Sequence, residues 1–251
     1  MSSDAIFGRD QEMQAIRDHL QRRHPFLVCG PAGAGKTLIM THLLRDHPNF
    51  LYSPDSATAV TMLRHVGAQL WKLQSPRILK SFGSAGVEAL KSKSAVNLKG
   101  VVFDALREGR HCIVLDHIRR PPYSYAAVVR ELIGWCSTPV ITLARSAHME
   151  DTGFLQPIYS DRRAQVELKN FDEEAAERFA RRIAERLNLV ADNLPDVLGH
   201  VVEYSRGNPG AILAMLNMAT QPKYRSEDRV KITPLYIDFR LGWQAASMDV
   251  K

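Results

Sequence analysis

Eight consecutive residues have the types and the spacing needed to hold phosphate groups: a glycine, four residues, then glycine, lysine and threonine. Glycines allow successive backbone N–H groups to curve around phosphate oxygens, and a following helix adds the partial positive charge of its N-terminus. The lysine supplies a charge for the β- and γ-phosphates, and the threonine hydroxyl is a ligand for Mg²⁺. The predicted nucleotide-binding residues are Gly30, Pro31, Ala32, Gly33, Ala34, Gly35, Lys36, Thr37 and Leu38.

An acidic residue for the same metal ion follows a second apolar run. Residues 112–115 are Cys-Ile-Val-Leu, and Asp116 comes next. A carboxylate at the end of a strand neighbouring the phosphate-loop strand can orient Mg²⁺, so we predict a metal site formed by Thr37 and Asp116. The alternative is that Asp116 only begins a turn.

Two further side chains are candidates for catalysis. Many ATPases have a glutamate directly after this aspartate to polarise the attacking water, whereas this chain has His117, whose neutral imidazole can accept a proton. Helix capping or packing is the alternative role for His117, and Glu131 is a weaker substitute for the base. Arg145 follows the apolar run 140–143 and can reach a γ-phosphate, unless it is a solvated loop residue. The sequence therefore predicts ATP binding with Mg²⁺ and leaves open whether slow hydrolysis is intrinsic.

Basic residues provide candidate contacts with other molecules. Arg162 and Arg163 precede the last predicted strand, where one of them can complete a neighbouring subunit's site in a homo-oligomer. The alternative is an exposed basic pair. Other clusters, such as residues 223–231, fit a solvated surface or, if they converge, a surface for DNA or another polyanion.

The elements that must position these residues alternate along the chain. Apolar runs predict strands at 26–29, 50–52, 112–115, 139–143 and 165–168, with helical patterns between them and a mobile connection, rich in serine, glycine and lysine, over 75–95. This order predicts an α/β P-loop fold, a three-layer α/β/α arrangement with a parallel sheet, followed by a small all-helical lid subdomain. The predicted domains are a nucleotide-binding domain at 1–168, the helical lid at 169–221 and a basic tail or edge strand at 222–251.

Composition narrows the class of protein. The 251 residues are 45% hydrophobic and 24% charged, with a net charge of +6. No apolar run approaches the ~20 residues that span a bilayer, and the first residues lack the features of a secretory signal. The three cysteines fit buried thiols in a reducing compartment better than disulfides. We therefore expect a cytoplasmic protein that does not act at a membrane.

Together these motifs resemble the P-loop ATPases of the AAA+/STAND group, in a short form without winged-helix and sensor domains. The resemblance spans about residues 6–220 and includes Phe7-Gly8-Arg9 with Glu12, the phosphate loop, residues 113–116, residues 143–145 and Gly207-Asn208-Pro209. It implies that Phe7, Gly8, Arg9 and Pro209 belong to the nucleotide site, with Phe7, Gly8 and Pro209 near the adenine. His117 in place of the second acid departs from the family pattern.

These observations favour an ATP-binding switch of conformation or assembly, with weak or partner-stimulated hydrolysis. A second hypothesis is a DNA-associated ATPase that oligomerises, as short relatives that regulate transposition do. A third is a scaffold that binds ATP without hydrolysing it and acts through a protein partner. A small-molecule kinase is disfavoured, since no motif for a second substrate accompanies the loop.

Overall fold

The computed structural model describes residues 6–45, 49–54, 58–83 and 86–248. These residues form two compact units. The sheet unit comprises Asp10–Gly30 and Lys36–Glu167. The helical unit comprises the described parts of Met1–Arg9, Pro31–Gly35 and Leu168–Lys251. The centre of the phosphate loop therefore belongs to the helical unit, and its two ends belong to the sheet unit.

The sheet unit contains a parallel sheet of five strands in the order β2-β3-β4-β1-β5. Strands β1, β3 and β4 are buried along their whole length, which explains why they appear in the sequence as uninterrupted apolar runs. The predicted parallel sheet is confirmed. The strands are β1 (Phe26–Cys29), β2 (Phe50–Ser53), β3 (Cys112–Leu115), β4 (Val140–Ala144) and β5 (Gln165–Glu167).

Helices cover this sheet and enclose its core. Side chains of β2, β3 and β4 pack with those of α3, α6 and α7 in one buried cluster. The helices are α1 (Asp10–Arg22), α2 (Lys36–Leu44), α3 (Ala59–Lys72), α4 (Pro76–Phe82), α5 (Gly86–Ser92), α6 (Ala95–Glu108), α7 (Tyr123–Cys136) and α8 (Met149–Thr152), with 3₁₀ turns at Gly153–Tyr159 and Arg162–Ala164.

The segment 75–95, expected to be a mobile connection, contains helices α4 and α5. Proline at the first position of α4 suits a helix start because no intrahelical partner is needed there. Ile78, Phe82 and Leu90 are buried in the sheet-unit core. Each helix has only seven residues, so its few apolar positions give too weak a periodic pattern to detect in the sequence.

The helical unit is built mainly from α9 (Glu173–Arg186), α10 (Leu194–Ser205) and α11 (Pro209–Ala219). Asp172 caps α9 by accepting a hydrogen bond from the Ala175 N–H at 2.8 Å, and Asn208 caps α11 from the Ala211 N–H at 3.1 Å. Phe179, Ile212, Met215 and other apolar side chains of these helices share a second buried core.

The prediction of a tail or edge strand after residue 221 is wrong for the described residues. A 3₁₀ turn at Pro222–Tyr224 leads to a small hairpin, β6 (Arg225–Ser226) and β7 (Arg229–Val230), and then to α12 (Ile232–Met248). Leu235 and Phe239, one helical turn apart, are buried in the helical-unit core. Pro234 lies in the first turn of α12, where proline is tolerated, and its presence among β-branched residues made this segment resemble a strand.

The three cysteines, Cys29, Cys112 and Cys136, are buried and unpaired. None of the helices described here combines the length and the apolar character required to cross a membrane.

Candidate functional site

The carboxyl ends of three parallel strands bring the predicted residues of the sheet unit to one edge. Gly30 follows β1, Asp116 follows β3 and Arg145 follows β4. The expectation that the Asp116 strand neighbours the phosphate-loop strand is wrong, because β4 lies between β1 and β3. Sequence order does not reveal this insertion, since both arrangements need the same alternation of strands and helices.

Asp116 is the centre of a hydrogen-bond network at this edge. Its side chain is 2% exposed. Thr37 Oγ1 donates to Asp116 Oδ2 at 2.8 Å, and the His117 N–H donates to Oδ1 at 2.7 Å. The two residues predicted to serve Mg²⁺ are therefore in direct contact although 79 positions separate them in the chain.

A third donor to Asp116 is Tyr52, which sequence reasoning missed. Its hydroxyl donates to Asp116 Oδ2 at 2.6 Å. Burial and, secondarily, the hydrogen bond with Asp116 raise the pKa of Tyr52 far above its ordinary value, so this hydroxyl stays protonated and remains a donor. The sequence contains no signal for this contact, because a tyrosine in the apolar run Phe50–Tyr52 is equally typical of a packed strand.

Gln69 of α3 fixes the backbone of Tyr52. Strand β2 lies at the edge of the sheet, where backbone groups lack a neighbouring strand. The Tyr52 N–H donates to Gln69 Oε1 at 2.9 Å, and Gln69 Nε2 donates to the Tyr52 carbonyl at 2.7 Å. The side-chain amide thus forms the backbone hydrogen bonds that a further strand would form. It fixes the Tyr52 backbone in the position from which its hydroxyl contacts Asp116.

Lys36 and Arg145 supply positive charge beside the loop ends. Lys36 Nζ donates to the Gly30 carbonyl at 2.7 Å, and the Gly30 N–H donates to the Arg145 carbonyl at 3.1 Å. Burial lowers the pKa of Lys36; the Asp116 carboxylate opposes this shift and the Arg145 guanidinium adds to it. Two cations close enough to affect each other, one of them partly desolvated, suit an anionic ligand.

His117 is exposed and has a left-handed backbone, with a φ of 53°. Its Nε2 lies 4.0 Å from Asp116 Oδ2. Histidine is among the residues that tolerate this conformation. Glu131, the weaker candidate for a base, forms an ion pair of 2.6 Å with Lys99 of α6 instead.

Within the helical unit, the centre of the phosphate loop is bonded to the start of α11. Asn208 Nδ2 donates to the Ala32 carbonyl at 2.8 Å, and the Gly210 N–H donates to the Gly33 carbonyl at 3.0 Å. A Cβ at Gly33 would lie 2.5 Å from Asn208 Oδ1, and the φ of Gly33 is 80°. Glycine is therefore required at this position by both space and backbone conformation.

Arg9 holds the same segment from another direction. Arg9 is 5% exposed, and its Nη2 donates to the Lys169 carbonyl at 2.6 Å and to the Ala34 carbonyl at 3.4 Å. Its guanidinium also lies 4.6 Å from the centre of the Phe171 ring. Arg9 thus links the amino-terminal motif, the loop and the start of the helical region.

The other residues implied by the resemblance also belong to the helical unit. Phe7 packs against the rings of Phe171 and Phe179, with ring centres 6.4 Å and 5.8 Å away. Gly8 has a φ of 65°, and Pro209 is the first residue of α11. The motif Gly207-Asn208-Pro209 indicates no separate role for Asn208, although Asn before Pro-Gly is a recognisable helix-cap signal.

Arg162 and Arg163 are not at the carboxyl edge of the sheet. They are exposed and lie in the 3₁₀ turn before β5, so they are at the amino end of that edge strand. Asp161 Oδ1 accepts a hydrogen bond from the Arg163 N–H at 2.9 Å, which fixes the turn.

The residues at the loop have suitable chemistry for a nucleotide and Mg²⁺. Thr37 and Asp116 offer hydroxyl and carboxylate oxygens, the hard ligands that Mg²⁺ prefers. Lys36, Thr37 and Leu38 form the first turn of α2, whose N–H groups have no intrahelical partners. Beside Gly35, whose φ is 97°, there is open space. Within the described ranges no group of three or more His, Cys, Asp or Glu side chains suits another metal.

Comparison with known proteins supports the fold. No family model matches the sequence, and no curated protein matches it. A Walker-type ATPase of Pyrococcus abyssi is similar, with a TM-score of 0.67 and 17% identity, covering 97% of this chain and 75% of that chain.

Two DNA-related proteins are also similar in structure. One is RuvB of Thermotoga maritima, a Holliday junction branch migration motor, with a TM-score of 0.52 at 14% identity. The match covers 95% of this chain and 70% of the RuvB chain. Orc1 of Aeropyrum pernix, determined in complex with DNA, has a TM-score of 0.60 at 13% identity. The match covers 94% of this chain and 65% of the Orc1 chain. At these identities the likeness establishes the fold alone, which is the three-layer α/β/α P-loop fold.

Proposed function

We propose that this chain binds Mg²⁺-ATP at residues 30–38 and acts as a nucleotide-dependent switch of conformation or assembly, with weak or partner-stimulated hydrolysis. The observation that carries the proposal is the 2.8 Å hydrogen bond between Thr37 and the buried Asp116. A phosphate loop whose hydroxyl meets a strand-end carboxylate combines an anion site and a hard-cation site.

In this proposal each residue has a distinct task. Loop N–H groups and Lys36 bind the β- and γ-phosphates, Thr37 is a Mg²⁺ ligand, and Asp116 orients the ion. Bound Mg²⁺ neutralises phosphate charge and orients the phosphoryl group. Arg145 senses the γ-phosphate from the end of β4. Phe7, Gly8, Arg9 and Pro209 complete the nucleotide site as the AAA+/STAND resemblance implies.

Hydrolysis depends on His117 in this proposal. Its exposed ring lies beside Asp116, where it can accept a proton from the attacking water. A solvated imidazole orients that water less well than a fixed carboxylate does. We therefore propose slow turnover that a partner stimulates.

The switch itself acts through the loop centre. The Ala32 and Gly33 carbonyls are bonded to Asn208 and Gly210 within the helical unit. Binding or loss of a γ-phosphate changes the backbone of the loop, and these two bonds convey the change to the start of α11.

A second candidate is a DNA-associated, oligomerising ATPase. The exposed pair Arg162 and Arg163 favours it. The pair lies at the opposite end of the strands from the chain's own phosphate loop, so it suits action on the site of a neighbouring subunit. RuvB and Orc1 show that proteins of similar structure are associated with DNA.

The first experiment measures ATP binding by calorimetry for the wild type, Lys36→Ala and Asp116→Asn. We expect Lys36→Ala to weaken ATP binding at least about tenfold, because charge-assisted contacts to phosphate are lost. In Asp116→Asn, ATP binding should depend much less on Mg²⁺ than in the wild type, whereas the free energy of unfolding should change little. Lys72→Ala, which removes an exposed lysine of α3, is the matched control. Unchanged affinity in Lys36→Ala would show that ATP binds elsewhere or not at all.

The second experiment distinguishes the candidate functions. ATP turnover and mass by light scattering are measured with and without DNA. DNA-stimulated turnover together with large assemblies would favour the DNA-associated ATPase, with Arg162→Ala and Arg163→Ala as tests of action in trans. Tight binding and a fixed small mass without turnover would favour a scaffold, and slow turnover indifferent to DNA would favour the switch.

A further inference from the structure

A second concave site lies within the sheet unit, at the amino ends of the strands. We call it the amino-edge cavity; it has a volume of about 450 Å³ and is lined by the second half of α1, the turn after it and the residues that begin β1, β2 and β3. This volume lies within the range of sites that hold small molecules.

The amino-edge cavity is separate from the phosphate loop. Phe26, the first residue of β1, lines the cavity, whereas Gly30 follows the last residue of the same strand. Four residues of strand at ~3.3 Å each place about 13 Å of buried backbone between the two sites. A nucleotide phosphate held at residues 30–37 therefore does not fill the cavity.

The cavity is strongly basic. Its lining includes Arg17, Arg23, Arg110, His19 and His24, and no aspartate or glutamate is among the described residues that line it. Within the same described part of the chain, none of these three arginines forms an ion pair with a carboxylate. The Arg23 guanidinium makes one long contact, 3.5 Å, with the His111 carbonyl.

The acidic residue next to this cluster, Asp18, offsets part of its charge, since its carboxylate opposes the lowering of the His19 pKa. Asp18, beside His19 on α1, accepts a hydrogen bond from Gln14 Nε2 at 2.8 Å on the exposed face of the helix. Three guanidinium groups around one concavity, with no carboxylate among its described lining residues, give a positive potential, and guanidinium forks match the geometry of phosphate oxygens.

The floor of the cavity is apolar. Phe26 is fully buried and Leu43 nearly so, and the half-buried Phe50 and His19 offer accessible rings above them. The His19 ring stacks on Phe26 with ring centres 4.8 Å apart and planes inclined by 15°. A basic rim above an apolar, partly aromatic floor suits a ligand that joins a phosphate to a flat or apolar body.

We propose that the amino-edge cavity is a second binding site, for a small phosphorylated ligand of the size and chemistry of a nucleoside monophosphate. The arginines bind the phosphate, and the apolar floor accommodates the base or an equivalent group. The inference does not depend on ATP binding at residues 30–37. A nucleic-acid strand that only crosses the basic rim would leave the apolar floor unused, so a small ligand is the better fit.

The test is a calorimetric titration with AMP, made on four chains: wild type, Lys36→Ala, the double variant Arg17→Ala/Arg110→Ala, and the control Arg181→Ala/Arg186→Ala. The control removes two exposed arginines of α9 and gives the same change in net charge. Because all four arginines are exposed, melting curves are expected to show that the double variants fold.

The proposal requires saturable binding of one AMP to the wild type and to Lys36→Ala. In Arg17→Ala/Arg110→Ala the affinity should fall at least about tenfold, because two charge-assisted contacts are lost, while the control retains the wild-type affinity. The Lys36→Ala chain makes the result independent of the proposed ATP site.

Three results would overturn the proposal. One is the absence of saturable AMP binding to either the wild type or Lys36→Ala, since binding that is lost in Lys36→Ala belongs to the phosphate loop. Another is AMP binding that Arg17→Ala/Arg110→Ala leaves unchanged. The third comes from a parallel titration with a single-stranded DNA oligonucleotide of about ten residues: if only the DNA binds, and only it depends on Arg17 and Arg110, the surface recognises nucleic acid instead.

Discussion

At the scale of single residues, the site depends on one buried carboxylate with several donors. Thr37, Tyr52 and the His117 N–H all donate to Asp116, at 2.8, 2.6 and 2.7 Å. Tyr52 and Thr37 share the same oxygen, Oδ2, so Tyr52 restrains the carboxylate that faces the threonine hydroxyl. The geometry therefore predicts that Tyr52 is a positioning residue for the proposed metal site.

Tyr52→Phe removes the donor and keeps the packed ring. We expect the Mg²⁺ concentration for half-maximal ATP binding to rise several-fold, because Asp116 is less restrained, while the stability falls by about 1 kcal/mol. Calorimetry at several Mg²⁺ concentrations measures the first effect, and denaturant unfolding measures the second. Tyr123→Phe, which alters an exposed tyrosine of α7, is the control. An unchanged Mg²⁺ requirement in Tyr52→Phe would exclude the positioning role.

His117→Asn tests whether the imidazole is the base. Asparagine tolerates a positive φ, so this variant preserves the backbone at 53° while removing the ring. If His117 activates water, turnover should fall about 100-fold or more with ATP affinity retained. Turnover assays under saturating ATP provide the measurement, and normal activity in His117→Asn would assign His117 a structural role only.

At the scale of elements, the start of α11 connects a helix cap to the phosphate loop. Asn208 Oδ1 accepts from the Ala211 N–H at 3.1 Å, and Nδ2 of the same side chain donates to the Ala32 carbonyl at 2.8 Å. The close approach of Gly210 and Gly33 places the two backbones in contact, since a Cβ at Gly210 would lie 2.7 Å from the Gly33 Cα. One amide therefore serves both helix stability and loop shape.

Asn208→Ala should lose both the cap of α11 and the hydrogen bond to the phosphate loop. Asp172→Ala, the matched change at α9, loses only a helix cap. We expect each variant to lower the stability of the helical unit by about 1 kcal/mol, the usual effect of removing a helix cap. Only Asn208→Ala should also weaken ATP binding, because the loop carbonyl loses its partner. Equal ATP affinities in the two variants would mean that the Asn208 bond to Ala32 does not shape the nucleotide site.

At the scale of the whole molecule, burial of two histidines links folding to pH. Burial, assisted by nearby Arg22, lowers the pKa of His19, and burial lowers the pKa of His111. Both folded values lie below the ordinary value of 6.5. Between the lowered and ordinary values the unfolded chain binds more protons than the folded chain, so stability rises with pH through this window.

We therefore expect the free energy of unfolding to decrease as the pH falls below about 6.5, before the carboxylates titrate. Urea unfolding at pH 7.5 and pH 5.5 measures the difference. His19→Gln should reduce the slope, and His148→Gln, which removes an exposed imidazole, provides the control. A stability in the wild type that does not change between these two pH values would contradict the expected linkage.

Signals that lie within a short stretch of chain were sufficient to predict much of this protein. The glycine spacing of residues 30–37 and the apolar runs before Gly30 and Asp116 predicted the phosphate loop, the strands and the parallel sheet. Each of these depends on local backbone preference or on complete burial of a strand, and both leave a pattern in consecutive residues. The prediction of a tail after residue 221 failed because α12 is stabilised by Leu235 and Phe239 packing against distant helices.

Only the tertiary structure decided which side chains meet. The sheet order placed β4 between β1 and β3, brought Tyr52 to Asp116 and gathered basic residues at the amino-edge cavity. Asn208 and Ala32 are 176 positions apart, yet one hydrogen bond joins them. Such contacts arise from how elements pack. The residues next to a hydroxyl, an amide or an arginine in the sequence do not indicate which distant residue it will contact. The sequence by itself therefore determined the phosphate loop and the class of fold, and the packing of the elements determined the residues that surround it.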